Sequence, residues 1–358
     1  MIYHPTIFSS KLKVMNKVKL KFLLIAIMLL VFSCGNPETT VTDIIHPDGS
    51  ITRHIEMRGS DNKFDPEDIQ VPYDSTWHIR DTIEIENGKD TIWIRTAEKG
   101  FSDADEITSL YGSGRNSNPK ITRSALFLKR FRWFFSTMKF AEKVDNTFRY
   151  GYPVEEYLSD EELDYFYLPD NICKEKESGP DSTVYKELSK RISEKVERWM
   201  SFSIISEWIE EFSAIMGDNA DEDVTRESLR SREELASKLV SDGSDSLIFS
   251  TLLGDRNYEK FSVEADSATR VIEDRFDAQF SFVGYNVKFI MPGKVISTNG
   301  FIDSSGVISW PVKAEYFFTS PYEMWAESKL TNIWAWIISG IFLLFVIAGL
   351  FIRRLRRR

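Results

Sequence analysis

Cysteine is scarce in this sequence: Cys34 and Cys173 are the only two among 358 residues. A disulfide-stapled scaffold is therefore excluded, and the folded part must be stabilised by a hydrophobic core. Histidine is scarce as well, with four residues. Those beyond the first 33 positions, His46, His54 and His78, do not have the spacing of zinc ligands. We expect no metal site and no other cofactor.

The motifs of common enzyme classes are missing too. The segment Gly112–Asn116 lacks the third glycine and the lysine of a phosphate-binding loop. The acidic segment Asp218–Asp223 has alanine at its third position and lacks the central glycine of a calcium loop. The carboxylate spacing selects no hydrolytic pair. We expect no catalytic residue; the alternative is an envelope hydrolase with an unidentified carboxylate pair.

Acidic residues are absent from both ends of the chain. The first 33 residues carry five lysines, and the last six residues include five arginines. Removing these ten cations from the formal net charge of −10 leaves −20 for the body between them. An acidic body excludes nucleic acid as a partner, because phosphate binding needs a positive surface.

The amino-terminal end has the pattern of a secretory signal. The five lysines precede an uncharged stretch from Phe22 to Ser33, which as a helix is about 18 Å long and too short to span a bilayer. The sequence Val31-Phe-Ser-Cys34 resembles a bacterial lipobox. That resemblance implies cleavage after residue 33 and lipidation of Cys34.

The carboxyl-terminal end predicts a transmembrane helix. Residues 330–352 are uncharged and long enough, at about 34 Å, to span with some tilt. Trp334 and Trp336 lie where an aromatic belt is expected. The basic tail that follows fixes the carboxyl terminus in the cytoplasm by the positive-inside rule; its residues are Arg353, Arg354, Arg356, Arg357 and Arg358. We therefore expect a protein of the cytoplasmic membrane with most of its chain on the periplasmic or outer face.

Two hairpins are predicted near the start of the exported part. In the first, a three-residue loop with Gly49 in the left-handed region pairs Ile45 with Ile51 and Asp43 with Arg53. This register gathers one apolar face, made of Val41, Ile45, Ile51, Ile55 and Met57. In the second, a two-residue Asn87-Gly88 turn pairs Ile83 with Ile92 and predicts a buried face of Ile83, Ile85, Ile92 and Ile94.

The rest of the chain alternates between loop, strand and helix patterns. We predict a loop at 100–120, one strand at 126–141, mostly helix at 154–255 with its strongest segment at Ser182–Met216, and strands at 271–320. The predicted fold class is α+β: a curved antiparallel sheet from the two strand-rich ends, a helical insertion and one transmembrane helix. The predicted parts are 1–33 signal peptide, 34–152 strands, 153–262 helices, 263–325 strands, 330–352 span and 353–358 tail.

Aromatic residues are the main positive signal, at 13% of the chain. Many fall in 127–152 and 276–325. They favour a large core, with an aromatic groove for an acyl chain or apolar segment as the alternative.

Several short motifs in the strand-rich ends resemble the LppM-type domain of bacterial envelope lipoproteins. They are His46–Ser50, Met291–Val295, Asn299-Gly300, Asp303–Gly306 and Trp310, ahead of the apolar helix. The resemblance covers 41–95 and 271–320. It implies a fold of helices and strands with a curved sheet that can enclose an apolar cavity, a role at the cell envelope, and no catalytic residues. We therefore expect a non-enzymatic binding or scaffolding module anchored in the membrane, whose ligand is an apolar lipid or an envelope protein segment.

Overall fold

The computed structural model describes residues 37–64, 70–86, 90–113, 120–148, 151–217, 221–240 and 245–357. Within them the chain forms two β-sheets, a block of helices inserted between strands, and one apolar helix at the carboxyl-terminal end. The predicted α+β class with a helical insertion is confirmed. The signal segment 1–33 and Cys34 lie outside the described residues, so their predictions stay predictions.

Seven strands form the larger sheet, in the order β3-β4-β2-β1-β7-β10-β9. They are β1 (Glu38–Ile45), β2 (Ile51–Gly59), β3 (His78–Glu86), β4 (Asp90–Phe101), β7 (Tyr285–Ile290), β9 (Phe301–Ile302) and β10 (Ile308–Val312). The strands before and after the helical insertion meet at β1 and β7, which pair in parallel with Val41 opposite Val287. All other pairings in the described sheets are antiparallel.

Four strands form the smaller sheet, in the order β5-β6-β11-β8. They are β5 (Ile121–Phe131), β6 (Phe135–Asn146), β8 (Lys294–Thr298) and β11 (Tyr322–Thr331). The two sheets share one hydrophobic core. At its centre Phe140 of β6 packs edge-on against Phe289 of β7, with ring centroids 4.8 Å apart. A short helix, α1 (Ala104–Ser113), packs against β5.

The first hairpin forms as predicted. Ile45 pairs with Ile51, and Asp43 pairs with Arg53. The predicted apolar face is fully buried. Gly49 has φ 101°, and a Cβ there would approach the Phe127 ring to 2.9 Å, so both backbone conformation and space require glycine.

The second hairpin differs from its prediction by one residue of register. Ile83 pairs with Trp93 and Ile85 with Thr91, so Ile83 and Ile85 lie on the face opposite to Ile94. Their side chains are 53% and 73% exposed, and the predicted buried isoleucine face is wrong. The physical reason is that β2 pairs with β4 only from Trp93 onward, so the tip of this hairpin has no neighbour to bury it.

Three further strand or loop predictions are corrected. The single strand at 126–141 is two strands, β5 and β6, reversed at 132–134. Part of the predicted loop at 100–120 is helix α1. Residues 262–280 are helical, so the strand predicted from 271 is wrong up to 280. There the alternating aromatics mislead, because Ala265, Ala268, Ile272 and Phe276 are buried at helical spacing.

The helical insertion is confirmed between β6 and β7. Its helices are α2 (Asp160–Phe166), α3 (Asp170–Ser178), α4 (Ser182–Met216), α5 (Arg226–Arg230), α6 (Glu233–Ser237), α7 (Asp245–Leu253), α8 (Asp255–Lys260) and α9 (Ser262–Phe280). The longest, α4, matches its predicted bounds and runs for 35 residues. It ends at Gly217, whose φ is 49°.

The insertion has its own hydrophobic core, joined to the sheet core at two consecutive residues. Phe317 belongs to the sheet core. Phe318 is fully buried in the helical core, with ring centroids 5.1 Å from Trp199 of α4 and 5.5 Å from Phe276 of α9. The sheets and the helical insertion therefore pack as one body.

The corrected registers predict unequal effects at two isoleucines. Ile55 is fully buried between the sheets, whereas Ile85 is exposed at the hairpin tip. Ile55→Ala should lower the free energy of unfolding by about 2–5 kcal/mol, and the matched Ile85→Ala should change it little. Urea unfolding of the full chain in detergent micelles, followed by tryptophan fluorescence, measures both. Equal losses would contradict the register.

Candidate membrane-interface site

One described helix, α10 (Ile333–Leu355), is long and apolar enough to cross a membrane. Its most apolar window has a mean hydropathy of 2.6 and is 6% buried in the structure. It begins three residues later than the predicted span, because strand β11 continues to Thr331 and only Asn332 separates the two. Its 23 residues give a length of about 34 Å.

Asn332 fixes the angle between the sheet and this helix. Its side-chain Nδ2 donates a hydrogen bond of 2.7 Å to the carbonyl of Arg132, and its Oδ1 accepts one of 3.2 Å from the Ser136 hydroxyl. Its backbone N–H donates to the carbonyl of Phe134 at 3.0 Å. The residue is buried, so the turn between β5 and β6 is tied to the first turn of α10 by several bonds rather than by a free linker.

Five aromatic side chains form what we call the collar: Phe131, Trp133 and Phe134 from the β5–β6 turn, with Trp334 and Trp336 from α10. The ring centroids of Phe131 and Trp334 are 6.1 Å apart, and those of Phe134 and Trp336 are 4.5 Å apart. Trp133 lies edge-on to Trp334 at 5.3 Å. The indole Nε1 of Trp133 donates a hydrogen bond of 2.9 Å to the Ser339 hydroxyl, further along α10.

The collar is open to its surroundings. Its five side chains are between 39% and 57% exposed. Arg130 and Arg132, in the same turn, are exposed as well. Tryptophan and arginine side chains combine apolar area with polar groups, which suits them to the boundary between hydrocarbon and water. The collar therefore has the composition of a membrane-interface site.

The predicted basic tail lies at the far end of the same helix. Arg353 and Arg354 are in its last turn, and Arg356 and Arg357 follow directly. Arg358 lies outside the described residues, as does the predicted lipidation site, Cys34. The structure therefore places the tail and the collar at opposite ends of α10 and leaves the lipidation prediction untested.

Sequence reasoning found one half of the collar and missed the other. The sequence predicts Trp334 and Trp336 in an aromatic belt, whereas Trp133 lies 201 positions before Trp334 and falls within the single strand predicted at 126–141. A usable signal exists: no acidic residue occurs between Lys120 and Ala141, although the body as a whole carries −20. A basic, aromatic segment in an acidic chain is typical of a membrane-facing element.

A second cluster of functional residue types lies buried between the two sheets. The Arg53 guanidinium donates to both carboxylate oxygens of Asp43 at 2.7 Å, to the Tyr111 hydroxyl at 2.7 Å, and to Glu142 of the smaller sheet. Arg53, Asp43 and Glu142 are each buried. One guanidinium therefore serves two carboxylates from opposite sheets.

The electrostatics of this cluster follow from burial. Burial alone would lower the pKa of Arg53, but the carboxylates of Asp43 and Glu142 outweigh it and hold that pKa well above its ordinary value. Burial raises the pKa of Glu142 to about 7, against the opposing effect of Arg53. Burial also raises the pKa of Tyr111. Because the cluster has almost no exposed surface, it can hold the sheets together but cannot reach a substrate.

The aromatic residues in 276–325 mostly belong to the two cores, with one open groove beside them. The groove has a volume of about 620 Å³ and lies between the helical insertion and the sheets. Its lining includes Tyr167, Trp310, Tyr322, Asp164 and Glu323. The Asn299 side chain, also in its lining, accepts a hydrogen bond of 3.0 Å from the Trp310 Nε1. Among the described residues, no group of three or more metal-ligating side chains occurs.

No family model and no curated protein matches this chain. Among solved structures, the chain is similar to the folded domain of the Mycobacterium tuberculosis LppM protein, determined by NMR. The alignment covers 83% of this chain and 92% of that one, at 11% sequence identity and a TM-score of 0.26. The structural relation is therefore distant.

The buried cluster predicts a pH dependence of stability. Because the pKa of Glu142 is about 7 in the folded protein and 4.5 as its reference value, the folded state binds more protons between these values. The free energy of unfolding should then fall as the pH rises from 4.5 to 7, by at most about 3 kcal/mol from this group. Glu142→Gln keeps an acceptor for Arg53 and removes the titration.

Thermal unfolding of the full chain at pH 5 and pH 8, followed by circular dichroism, tests this. The variant should lose less stability between these pH values than the wild type. Glu162, whose pKa is lowered to about 2 by bonds to Lys195, Ser159 and Arg191, affects stability only below this window. The exposed Glu234→Gln is the matched control. An unchanged pH dependence in Glu142→Gln would contradict the assignment.

Proposed function

We propose that this protein is a membrane-anchored, non-enzymatic binding or scaffolding module of the bacterial cell envelope. The observation that carries the proposal is the junction at Asn332, where a central strand of the smaller sheet continues into an apolar helix. Three hydrogen bonds and the collar hold that junction. A folded body fixed to a membrane helix in this way keeps a defined orientation to the bilayer, as a scaffold requires.

The opposed basic ends support the topology of this proposal. Arginines close the carboxyl-terminal end of α10, and lysines precede the short apolar stretch before Cys34. Together they favour an exported body, a cytoplasmic tail, and the cytoplasmic membrane as the location. We infer that Cys34 carries lipid and that the body lies on the periplasmic or outer face.

The distribution of titratable groups supports a binding role over an enzymatic one. Burial raises the pKa of two described carboxylates, Glu142 and Glu207, and each is held beside an arginine, Arg53 and Arg275 respectively. The groove of about 620 Å³ instead offers aromatic faces at the boundary of insertion and sheet. We infer that this boundary takes the ligand, an apolar lipid or a segment of an envelope protein.

The topology can be tested by protease access. Protease added to spheroplasts should remove the exported body and leave a fragment that contains α10 and the arginine tail. An epitope tag appended after Arg358 identifies that fragment, and permeabilised spheroplasts provide the control in which the tag is also lost. A body protected from protease in intact spheroplasts would contradict the proposal.

The lipid anchor is tested at the two cysteines. Cys34→Ala should abolish incorporation of a labelled fatty acid, whereas Cys173→Ala should leave it unchanged. Both variants should stay in the membrane fraction after alkaline extraction, because α10 is intact. Persistent labelling in Cys34→Ala would refute the lipidation site, and release of that variant would refute the span.

A further inference from the structure

We infer that the β5–β6 turn is itself a membrane-inserting element: Phe131, Trp133 and Phe134 enter the leaflet on the side of the folded body, and Arg130 and Arg132 contact lipid phosphates. The inference rests on the proposed span of α10. The protein then contacts the membrane through a turn of its folded body as well as through α10.

The depth of the turn follows from its contacts with α10. The uncharged stretch from Ile333 to Ile352 has 20 residues before Arg353, which as a helix is about 30 Å long, equal to the hydrocarbon thickness of a bilayer. With Arg353 at the cytoplasmic boundary, Ile333 lies at the opposite boundary. Ser339, which accepts the hydrogen bond from Trp133, is then about 9 Å inside it.

The contacts of Phe134 also place the turn below the membrane boundary. Its ring packs at 4.5 Å from that of Trp336, three residues into α10 and so about 4.5 Å below Ile333. Two side chains of the turn therefore reach positions that the helix length assigns to the outer part of the leaflet. A tilt of α10 by about 20° shortens these depths by only a few per cent.

The charge around the turn suits a phosphate-rich layer. Between Lys120 and Ala141 there are six cations and no acid. Lys129 is engaged, because its Nζ donates to the Pro47 carbonyl at 2.7 Å. Arg130 and Arg132 are exposed and form no ion pair within the described part of the chain. Guanidinium groups at the rim of an inserted aromatic cluster lie where lipid phosphates are found.

The positive charge of the turn allows an otherwise acidic body to approach an anionic lipid surface. A body of −20 is repelled by an anionic surface, so contact with lipid needs a region where the sign is reversed. The β5–β6 turn is such a region, and its continuity with α10 makes the bilayer the occupant that the surface fits. A second copy or a partner helix on the collar is the competing occupant.

The test uses the full chain in vesicles that contain phosphatidylcholine, phosphatidylglycerol and a lipid with a diazirine near the top of its acyl chain. After illumination, labelled peptides are identified by mass spectrometry. Label is expected on 131–134 and on α10. The exposed Ile83 and Ile85 of β3 are the internal control and should stay unlabelled, since β3 is an edge strand of the larger sheet whereas the collar is built from the smaller sheet and α10.

The outcomes separate this inference from the proposed function. Label on α10 without label on 131–134 overturns the inserted turn and leaves the span standing. Absence of label from both overturns both. Unlabelled 131–134 together with a crosslink from the turn to a second protein chain would assign the collar to a protein contact.

The phosphate contacts are tested separately with the double variant Arg130→Ala and Arg132→Ala. In nanodiscs of mixed lipids, the enrichment of phosphatidylglycerol around the protein should fall, because each cation removed lowers the association constant for anionic lipid at the turn by about five-fold. The matched control, Lys186→Ala with Arg270→Ala, removes two exposed cations from the helical insertion and should leave the enrichment unchanged. Equal enrichment in the two double variants would overturn the arginine contacts.

Discussion

A single residue, Asn332, determines how the folded part of this protein meets its apolar helix. Strand β11 is paired on both sides, with β6 and with β8, so its direction is set by the smaller sheet. Because only one residue follows it before α10 begins, and because that residue is bonded to the β5–β6 turn, the sheet cannot rotate independently of the helix. The orientation of the helical insertion and of the groove beside it follows from the same constraint.

The two sheets are held in register by a different kind of interaction. Arg53 lies at the centre of the interior and takes its carboxylates from β1 and from β6, one in each sheet. A buried charge is costly unless it is paired, so an arrangement that displaced either sheet would leave a guanidinium or a carboxylate unsatisfied. Apolar packing alone would tolerate small sliding of one sheet over the other. The shared guanidinium does not.

The sequence predicted those elements in which local chemistry and long-range packing agree. The first hairpin was predictable residue by residue, because its three-residue loop, its apolar face and its Asp43–Arg53 pair all favour one register. Helix α4 was predictable for the same reason, since an apolar stripe and Gly217 define it. The predicted register of the second hairpin was wrong because Asn87-Gly88 favours a two-residue turn. The exposure of Ile83 depends instead on where β2 ends, which local sequence does not show.

The candidate site was predictable only in part, because its two halves are distant in sequence. Trp334 and Trp336 lie in a long apolar run that is obvious in the sequence, whereas Trp133 and Phe134 reach the helix through a strand reversal that periodicity did not reveal. Likewise, the apolar residues around Phe276 fit both the alternation of a strand and the spacing of a helix. The helix forms because Phe276 packs against Phe318 in the core of the insertion. Long-range contacts of this kind leave no mark at the level of local periodicity.

The position of Phe317 and Phe318 has a consequence for how the molecule responds to force and heat. Neighbouring residues on one short segment belong to two different cores, and each ring is fully buried in its own. Because Phe317 and Phe318 are adjacent along the backbone, opening one core pulls on the segment that holds the other core's ring in place. The sheets and the helical insertion are therefore one cooperative unit, and a load applied to the insertion is transmitted through this segment to β11 and to the apolar helix that follows it.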